Sequence, residues 1–435
     1  CWPSLLCIRS PSPPPVSPPE TGGERTLSTR FSEEPKFPYK TAQNCIGDNR
    51  RRPRSLTSFA LYVHYPFCLS RCPYCGFATG VEQSSRSERY REMLLREVAR
   101  RASEPPWRGG RITSIYFGGG TPSLMPPDFV RWFLGELRAR WEVVDGLEIT
   151  LEANPGTGDA ERFREFRRAG INRLSIGAQS FNDRELRTLG RIHSAAEAQN
   201  AVHLARDAGF DNISLDLIYG IRGQSTASFA DSVRRAVALG IEHLSTYALS
   251  IENGTPLAAA VGRGDEDPPD PDLAADQYAA LCSVMREAGF DHYELTNFSL
   301  PGRCSRHNFA YWRRQPYLGI GSAAHSFDTQ RRFCNQRRAE DYIAALEQGL
   351  DPVENCEILT PWDEFTERVY LALRTRDGLP GGFLKVAADP GAVGELLARG
   401  FLIRSHGTVR IPEERWLLLD EIVLRILPRT GGGSP

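Results

Sequence analysis

The sequence has almost no net charge, no long apolar run and very little lysine. Its 53 Lys and Arg residues are balanced by 54 Asp and Glu residues, which gives a formal net charge of -1. Without a strongly basic field, we expect no binding to nucleic acid. Because no run of roughly eighteen apolar residues occurs, we also expect no transmembrane segment.

An export signal is also missing from the N-terminus, where no charged start is followed by an apolar stretch and a small-residue cleavage site. Acidic residues such as Glu20 and Glu24 disfavour an organelle-targeting segment, because transit peptides contain few acids. We therefore expect a reducing, cytoplasmic location, either free or at the periphery of the membrane. Import into an organelle is the alternative. Residues 1–55 are rich in Pro and Arg and are predicted to be a disordered leader.

Strand and helix signals alternate over residues 56–298. This alternation predicts an α/β architecture with a parallel sheet and right-handed crossovers. Six units are fewer than the eight of a closed barrel, so we predict a partial parallel βα barrel with space for a large ligand, and keep a doubly wound sheet as the alternative. The six candidate strands are ALYVHY (60–65), TSIYFGG (113–119), LEITLEA (147–153), RLSIGAQ (173–179), NISLDLIYG (212–220) and EHLSTYALS (242–250).

The rest of the chain lacks this alternation. Residues 299–350 are predicted to be a loop-rich segment. Residues 351–435 contain helical runs, then FLIRSHGTVRIP (401–412), which is a predicted two-stranded wing, and a final amphipathic stretch. This order predicts a small α+β domain that resembles a winged helix, and its near-neutral charge disfavours DNA binding.

Only three of the ten cysteines are close together in the sequence, namely Cys68, Cys72 and Cys75. In a large chain without an export signal, clustered thiols indicate metal ligands or redox groups rather than disulfides. A structural zinc site normally has four protein ligands, and a redox pair would use only two of these thiols. Three thiolates can bind three irons of a [4Fe–4S] cluster and leave the fourth iron without a protein ligand. The spacing therefore favours a [4Fe–4S] cluster, with structural zinc as the alternative.

Glycines and polar side chains lie near the ends of successive predicted strands. The run GGGTP (118–122) follows the second strand, where glycine lets backbone amides approach a ligand closely. Glu152 and Gln179 end the third and fourth strands, and Asp216 lies in the fifth. Each feature alone is most simply a turn or a strand-end cap. Together, near the C-terminal ends of barrel strands, they indicate a ligand site.

The three-cysteine spacing directly after a first strand resembles the radical S-adenosylmethionine (SAM) superfamily. The chain is most similar to its HemN/HemW group, over roughly residues 57–428, in the stretches LYVHYPFC, YFGGGTPSL, LEANPG, GAQSFN, DLIYGIRGQS, HYELTNF and RHNFAYW. In that superfamily the open iron chelates SAM, and an electron from a donor cleaves it to a 5′-deoxyadenosyl radical. The resemblance implies a barrel of the radical SAM type with SAM contacts at Tyr62, Tyr74, Gly119, Gly120, Thr121, Glu152, Gln179, Arg191 and Asp216.

Two features distinguish the branches of this group. Oxygen-independent coproporphyrinogen oxidases have a fourth cysteine two residues after the third, whereas this chain has Phe77, as the haem-chaperone branch does. The segment RHNFAYW (306–312) resembles that branch's HNxxYW motif, which is associated with haem. An imidazole can ligate haem iron and aromatic faces can cover a porphyrin, although a lone His beside aromatic residues otherwise indicates a structural role. The resemblance implies haem contacts at His307, Asn308, Tyr311 and Trp312.

The resemblance thus implies a haem chaperone that delivers haem to apo-haemoproteins, with an electron donor and a second copy of the chain as further expected partners. The alternative is an oxygen-independent coproporphyrinogen III oxidase, which decarboxylates its substrate by a radical reaction in porphyrin biosynthesis. Phe77 disfavours that activity, so the sequence leaves open whether the protein is an enzyme. A radical reaction on another substrate is the third hypothesis.

Overall fold

The structure is a computed structural model, and it describes residues 40–41, 58–387 and 389–427. Apart from residues 40–41, the predicted leader at 1–55 lies outside the described residues. The strands are β1 (Lys40–Thr41), β2 (Ser58–Tyr65), β3 (Phe67–Cys68), β4 (Gly80–Val81), β5 (Arg111–Gly119), β6 (Glu142–Ala153), β7 (Arg173–Gln179), β8 (Ile213–Tyr219), β9 (His243–Ala248), β10 (Asp291–Glu294), β11 (Asn297–Ser299), β12 (Tyr317–Ile320), β13 (His325–Phe327), β14 (Arg331–Asn335), β15 (Val353–Ile358), β16 (Leu379–Pro380), β17 (Ile403–Ser405) and β18 (Thr408–Arg410).

Helices connect most of these strands, and short 3₁₀ turns lie at Pro122–Leu124 and Glu413–Leu418. Within the described part of the chain, no helix is both long enough and apolar enough to cross a membrane. The helices are α1 (Ser84–Ser103), α2 (Pro127–Arg140), α3 (Ala160–Ala169), α4 (Asp183–Thr188), α5 (Ala195–Asp207), α6 (Thr226–Ala238), α7 (Pro256–Arg263), α8 (Pro271–Glu287), α9 (Arg306–Trp312), α10 (Ala339–Glu347), α11 (Pro361–Leu373), α12 (Gly381–Ala387), α13 (Pro390–Ala398) and α14 (Leu419–Ile426).

One large sheet carries the architecture. Its strand order is β1-β15-β14-β13-β12-β2-β5-β6-β7-β8-β9-β11-β10. From β2 to β9 in this order, neighbouring strands are parallel and joined by helices. This confirms the predicted α/β arrangement of six parallel units in a partial barrel. A seventh parallel strand, β12, pairs with β2 on its other side.

The segment 299–350 is more regular than the sequence indicates. It contains α9, β12, β13, β14 and α10. Each of these elements is short, and the four residues of β12 are all buried. A fully buried strand of this length shows no apolar alternation, so its periodicity is not visible in the sequence.

Strand β2 shows how the sequence makes two different faces. Phe59, Leu61 and Val63 belong to the main apolar core. Because successive side chains of a strand point to opposite faces, Tyr62 lies on the other side, where its ring stacks on that of Tyr116 at 6.2 Å. The apolar face holds the helices, and the inner face carries the polar and aromatic side chains of the lumen.

The C-terminal helices α11–α14 enclose a second apolar core together with a small antiparallel sheet of order β16-β18-β17. Val369, Leu396 and Trp416 are fully buried there. The hairpin β17–β18 lies in the segment predicted as a wing. By contrast, β15 pairs with β14 in the large sheet, so this unit begins at α11 and not at residue 351.

Candidate functional site

The three clustered cysteines follow β2, with Cys68 at the end of the short strand β3 and Cys72 and Cys75 on the loop after it. The amide of Cys75 donates to the carbonyl oxygen of Cys72 at 3.2 Å, which tightens the loop. All three thiols are half-buried and free of disulfides. Burial raises the pKa of the Cys68 thiol to about 11, so a bound metal or a nearby cation is needed to hold a thiolate here at neutral pH. No three His, Cys, Asp or Glu side chains of the described residues are placed to hold one single metal ion, whereas in a cubane each thiolate binds a separate iron.

Arg191 ties the cysteine loop to the ends of two strands. Its Nη1 donates to the Sγ of Cys72 at 3.5 Å. Its Nη2 donates to the Oδ1 of Asn154 at 2.5 Å and to the carbonyl oxygen of Gly177 at 3.1 Å. The guanidinium also places a fixed positive charge beside the sulfur of Cys72. The same side chain therefore positions the cysteine loop and brings a cation to it.

The glycine run at the end of β5 lies directly against the cysteine loop. Gly119 has a φ of 119°, and a Cβ there would lie 2.7 Å from the ring of His64. A Cβ on Gly120 would lie 2.7 Å from the carbonyl oxygen of Phe67. Only glycine fits at either position without displacing the neighbouring chain. Thr121 follows, and its Oγ1 accepts a hydrogen bond from the Nδ2 of Asn154 at 2.8 Å.

Two carboxylates reach into the lumen from β6 and β8, the strands on either side of β7. Glu152 accepts hydrogen bonds from the hydroxyl of Tyr116 at 2.8 Å and from the amide of Gly119 at 3.0 Å. Asp216 accepts from the Oγ of Ser175 at 3.2 Å. Burial, and then repulsion from Glu152, raise the pKa of Asp216 to about 7. Asp216 can therefore take up or release a proton near neutral pH.

The remaining predicted SAM contacts surround this centre. Gln179 has a φ of 65°, an uncommon left-handed conformation for a residue other than glycine. Its amide nitrogen lies over Gly177, where an added Cβ would be 2.7 Å away. The hydroxyl of Tyr62 is 3.0 Å from the Nδ1 of His64. Tyr74 packs against the small apolar cluster of Leu189, Ile218 and Ile221.

The structure thus joins Cys72, Arg191, Thr121, Glu152 and the glycine run through short contacts at the C-terminal ends of β2, β5, β6 and β7. Sequence reasoning missed Asn154 and Tyr116, which connect these residues. Asn154 lies two positions after Glu152 in LEANP, and Tyr116 lies two before Gly118 in β5. The period of two along a strand could have placed both side chains on the inner face.

The segment 306–312 lies further from the C-terminal strand ends, where it forms the short helix α9. The carboxylate of Glu148, on β6, accepts from the amides of Arg306 and His307 at 3.0 Å each. These are two of the amides that a helix N-terminus leaves without partners. Glu148 therefore fixes this helix against the barrel.

His307 is buried and already has a partner at each ring nitrogen. Its Nδ1 is 2.9 Å from the Oγ of Ser114, and its Nε2 is 3.0 Å from the hydroxyl of Tyr311. Burial, and then the charge of Arg173, lower its pKa to about 3, so the imidazole is neutral. The ring also stacks on Tyr116 at 5.1 Å, which links the motif to the Glu152 side of the lumen.

The other two predicted haem contacts are buried as well. Asn308 is the third residue of α9, and its amide donates to the Oγ of Ser305, the helix cap, at 3.3 Å. The guanidinium of Arg374 lies over the ring of Trp312 at 4.4 Å. The motif thus forms part of the packed interior, and a flat ligand would have to displace some of these contacts.

A family model described as the Radical SAM superfamily matches residues 62–236. The chain is 36% identical over 376 residues to the heme chaperone HemW of Mycobacterium tuberculosis, covering 85% of this chain and 94% of the relative. It is 34% identical over 396 residues to the mouse radical S-adenosyl methionine domain-containing protein 1, mitochondrial, covering 86% of this chain and 88% of that protein. The glycine run, the strand-end carboxylates and the cysteine loop all lie within the matched region.

Among solved structures, coproporphyrinogen III oxidase (HemN) from Escherichia coli superposes with a TM-score of 0.72 at 23% identity, covering 87% of this chain and 91% of that chain. At this identity the likeness shows the fold alone. With the family model and the full-length relatives, it establishes that the chain belongs to the radical SAM superfamily and, within it, to the HemN/HemW group.

Proposed function

We propose that this protein is a haem chaperone that binds a [4Fe–4S] cluster, SAM and haem, and passes haem to apo-haemoproteins. The observation that carries the proposal is the similarity to the heme chaperone HemW of Mycobacterium tuberculosis over 94% of that protein's length. Phe77, in place of the fourth cysteine of the oxidase branch, favours the chaperone over the oxidase.

The donor set fits the cluster. Cys68, Cys72 and Cys75 would hold three irons, and Arg191 beside Cys72 supplies a positive charge to a cluster of thiolates. When bound, the cluster and SAM together supply one-electron chemistry. The chain itself supplies the loop geometry and partial burial of the three thiols.

The residues at the strand ends fit SAM. Gly119 and Gly120 present backbone with no side chain, and Glu152 accepts the Gly119 amide and can exchange it for a ligand ammonium group. Tyr62, Tyr74, Thr121, Gln179 and Asp216 complete the proposed contacts. Asp216, with its pKa near 7, can hold or release a proton on the inner side of this site.

The proposed haem contacts are those of α9, and neutral His307 has the chemistry of an axial ligand. Ligation through Nε2 requires that the hydrogen bond between this nitrogen and the Tyr311 hydroxyl is broken. Haem binding through His307 therefore includes a local rearrangement of α9, and we expect it to be slower than diffusion alone allows.

The first experiment tests the cluster. Anaerobic reconstitution should give about four irons and four sulfides per chain, with the broad visible absorbance of thiolate-bound iron. Cys68→Ala, Cys72→Ala and Cys75→Ala should each lose it, whereas Cys282→Ala, a remote half-buried thiol, should keep it. Zinc in place of iron in the reconstituted protein would contradict the proposal.

The second experiment tests haem binding and separates the two candidate functions on one sample. Titration with haem should give a Soret band that weakens in His307→Ala but not in His292→Ala, another buried histidine that packs against Phe298. The same reconstituted sample, given SAM, a reductant and coproporphyrinogen III, should form no protoporphyrinogen IX. Decarboxylation without stable haem binding would establish the oxidase instead.

The remaining partners are proposals that follow from the same function. Haem loaded on this chain should move to an apo-haemoprotein, which absorbance of the separated acceptor would report. Reduction of the cluster by a candidate protein tests for the electron donor. The mass of the protein in solution tests for a homodimer. We propose a cytoplasmic location, and cell fractionation tests it against import, which the printed name of the mouse relative indicates for that protein.

A further inference from the structure

Arg173, the first residue of β7, is a buried cation that lacks a carboxylate partner. It is 2% exposed. Among the described residues, no Asp or Glu oxygen lies within 4.0 Å of its guanidinium, and its Nε has no hydrogen-bond partner. Arg101 is equally buried, but it contacts both Glu97 and Asp351. The isolation of Arg173 is therefore unusual for this chain.

The side chain of Arg173 belongs to the lumen face. Leu174, the next residue, is in the main apolar core, and Ser175, on the same face as Arg173, donates to Asp216. Burial dominates the pKa shifts of His307 and Asp216, and the charge of Arg173 makes a smaller contribution to each, although the two groups lie on different elements around the lumen. Arg173 therefore lies on the inner face of the sheet, within electrostatic range of both His307 and Asp216.

A second polar group beside Arg173 also lacks a partner. Thr150 on β6 is paired with Arg173 in the strand register. Its Oγ1 is buried and makes no hydrogen bond to the described residues. A hydroxyl donor and a guanidinium fork next to each other are the groups that a carboxylate accepts from.

Leaving a guanidinium buried and unpaired is costly, because desolvation is not offset by a counter-charge. A buried polar group without a partner requires an explanation, and a ligand that supplies the missing hydrogen bonds is one such explanation. The planar guanidinium is suited to a carboxylate, which it can bind through two parallel hydrogen bonds. The missing partner of Arg173 is therefore best supplied by a bound anion.

We propose that Arg173 and Thr150 form a receptor for a carboxylate group of the ligand that occupies the lumen. Resting on the proposed function, this carboxylate is a propionate of haem. The receptor fixes which way the porphyrin edge points, next to the aromatic rings of Tyr116 and His307. The receptor selects ligands that carry a carboxylate, and this selection is independent of the cluster and of the axial ligand.

The test compares haem with haem dimethyl ester, which keeps the ring and iron but lacks both carboxylates. The wild-type protein should bind haem about tenfold or more tightly than the ester, as expected for one charge-assisted contact. In Arg173→Gln this ratio should fall close to one, and Arg173→Lys should lie between. Arg101→Gln, equally buried but remote from the lumen, should keep the wild-type ratio. An unchanged ratio in Arg173→Gln would overturn the proposal.

A stability measurement separates a receptor from a structural role. In ligand-free protein, Arg173→Gln should unfold at the same temperature as wild type or above it, because a buried unpaired charge is removed, whereas Arg101→Gln should unfold lower. Equal destabilisation of both variants would show that Arg173 is structural.

Failure of the proposed function gives a different pattern, in which wild type binds neither haem nor the ester. Sodium propionate is then the probe. It should raise the unfolding temperature of wild type but not of Arg173→Gln, and no difference between the two would reject the receptor itself.

Discussion

At the scale of single residues, Tyr116 connects the two halves of the lumen. Its hydroxyl donates to Glu152, and its ring stacks on His307. A ligand that draws Glu152 away from Tyr116 therefore also removes one constraint on the α9 motif. We therefore expect a ligand in the proposed SAM site to change the availability of His307.

Tyr311→Phe tests whether His307 is the axial ligand. The change keeps the aromatic face but removes the hydroxyl that contacts His307 Nε2 at 3.0 Å. If ligation has to break that hydrogen bond, worth about 1 kcal/mol, the variant should bind haem roughly fivefold more tightly. Haem titration followed by the Soret band measures it. Weaker binding would instead mean that the Tyr311 hydroxyl itself contacts haem.

Asp216→Asn tests the raised pKa of Asp216. The folded protein keeps this proton up to about pH 7, whereas the unfolded chain loses it near the usual value of about 4. The folded state therefore binds more protons, and Asp216 makes the protein less stable as pH rises through this range, by up to about 1.4 kcal/mol per pH unit. In the absence of SAM, the unfolding temperature of Asp216→Asn relative to wild type should therefore increase as the pH rises from 5 to 8.

The matched control is Asp207→Asn, which changes an exposed carboxylate at the end of α5. Its difference from wild type should be nearly independent of pH. If Asp216→Asn shows the same flat profile, the pKa of Asp216 in the folded protein is that of an ordinary carboxyl group.

At the scale of elements, α9 is too short to be stable alone and depends on Glu148. A helix of seven residues forms only with tertiary support, and Glu148 accepts two of its first amides while Ser305 caps another. The orientation of the whole motif therefore depends on one carboxylate of β6.

Glu148→Gln should loosen α9, because the neutral amide loses the charge that favours a helix N-terminus and offers one acceptor oxygen instead of two. We expect a loss of about 1 kcal/mol in unfolding free energy and faster hydrogen exchange at the amides of His307 and Asn308. Glu142→Gln, an exposed change on the same strand, should leave both unchanged. Unaltered exchange in Glu148→Gln would show that α9 is held by packing alone.

At the scale of the whole molecule, the sequence predicted the long strands well and the short ones poorly. The six parallel strands have six to twelve residues, so their apolar faces and flanking helices are visible as patterns. β12 has four buried residues and joins β2 across more than 250 positions of sequence, as the pairing of Leu318 with Leu61 shows. Only tertiary structure determines such a pairing.

The same difference applies to the candidate site. Residues at strand ends, such as Glu152 and Gln179, could be predicted because parallel strands end at one edge. The hydrogen bonds of Asn154 with Thr121 and Arg191 depend on loop conformation and could not be predicted. The lack of a carboxylate partner for Arg173 could not be predicted either. It depends on how far the surrounding Asp and Glu side chains lie from its guanidinium in the folded protein.

The two apolar cores are joined by a buried ion pair. Arg374, just after α11, donates through Nε to Glu294 of β10 at 2.8 Å, and both side chains are almost fully buried. A second ion pair, between Arg376 and Asp291, joins the same two segments at 3.1 Å, but its two side chains are about 40% exposed. The chain thus provides a buried and an exposed pair at one junction.

Arg374→Met should cost about 3–5 kcal/mol of unfolding free energy, because it leaves the buried Glu294 without its counter-charge. Arg376→Met should cost at most about 1 kcal/mol, because solvent already screens that pair. Denaturant unfolding measures both, and limited proteolysis should release the α11–α14 unit from Arg374→Met first. Similar losses in the two variants would mean that backbone bonds, such as Leu295 N–H to Arg374 O, hold the junction and that the buried charges add little.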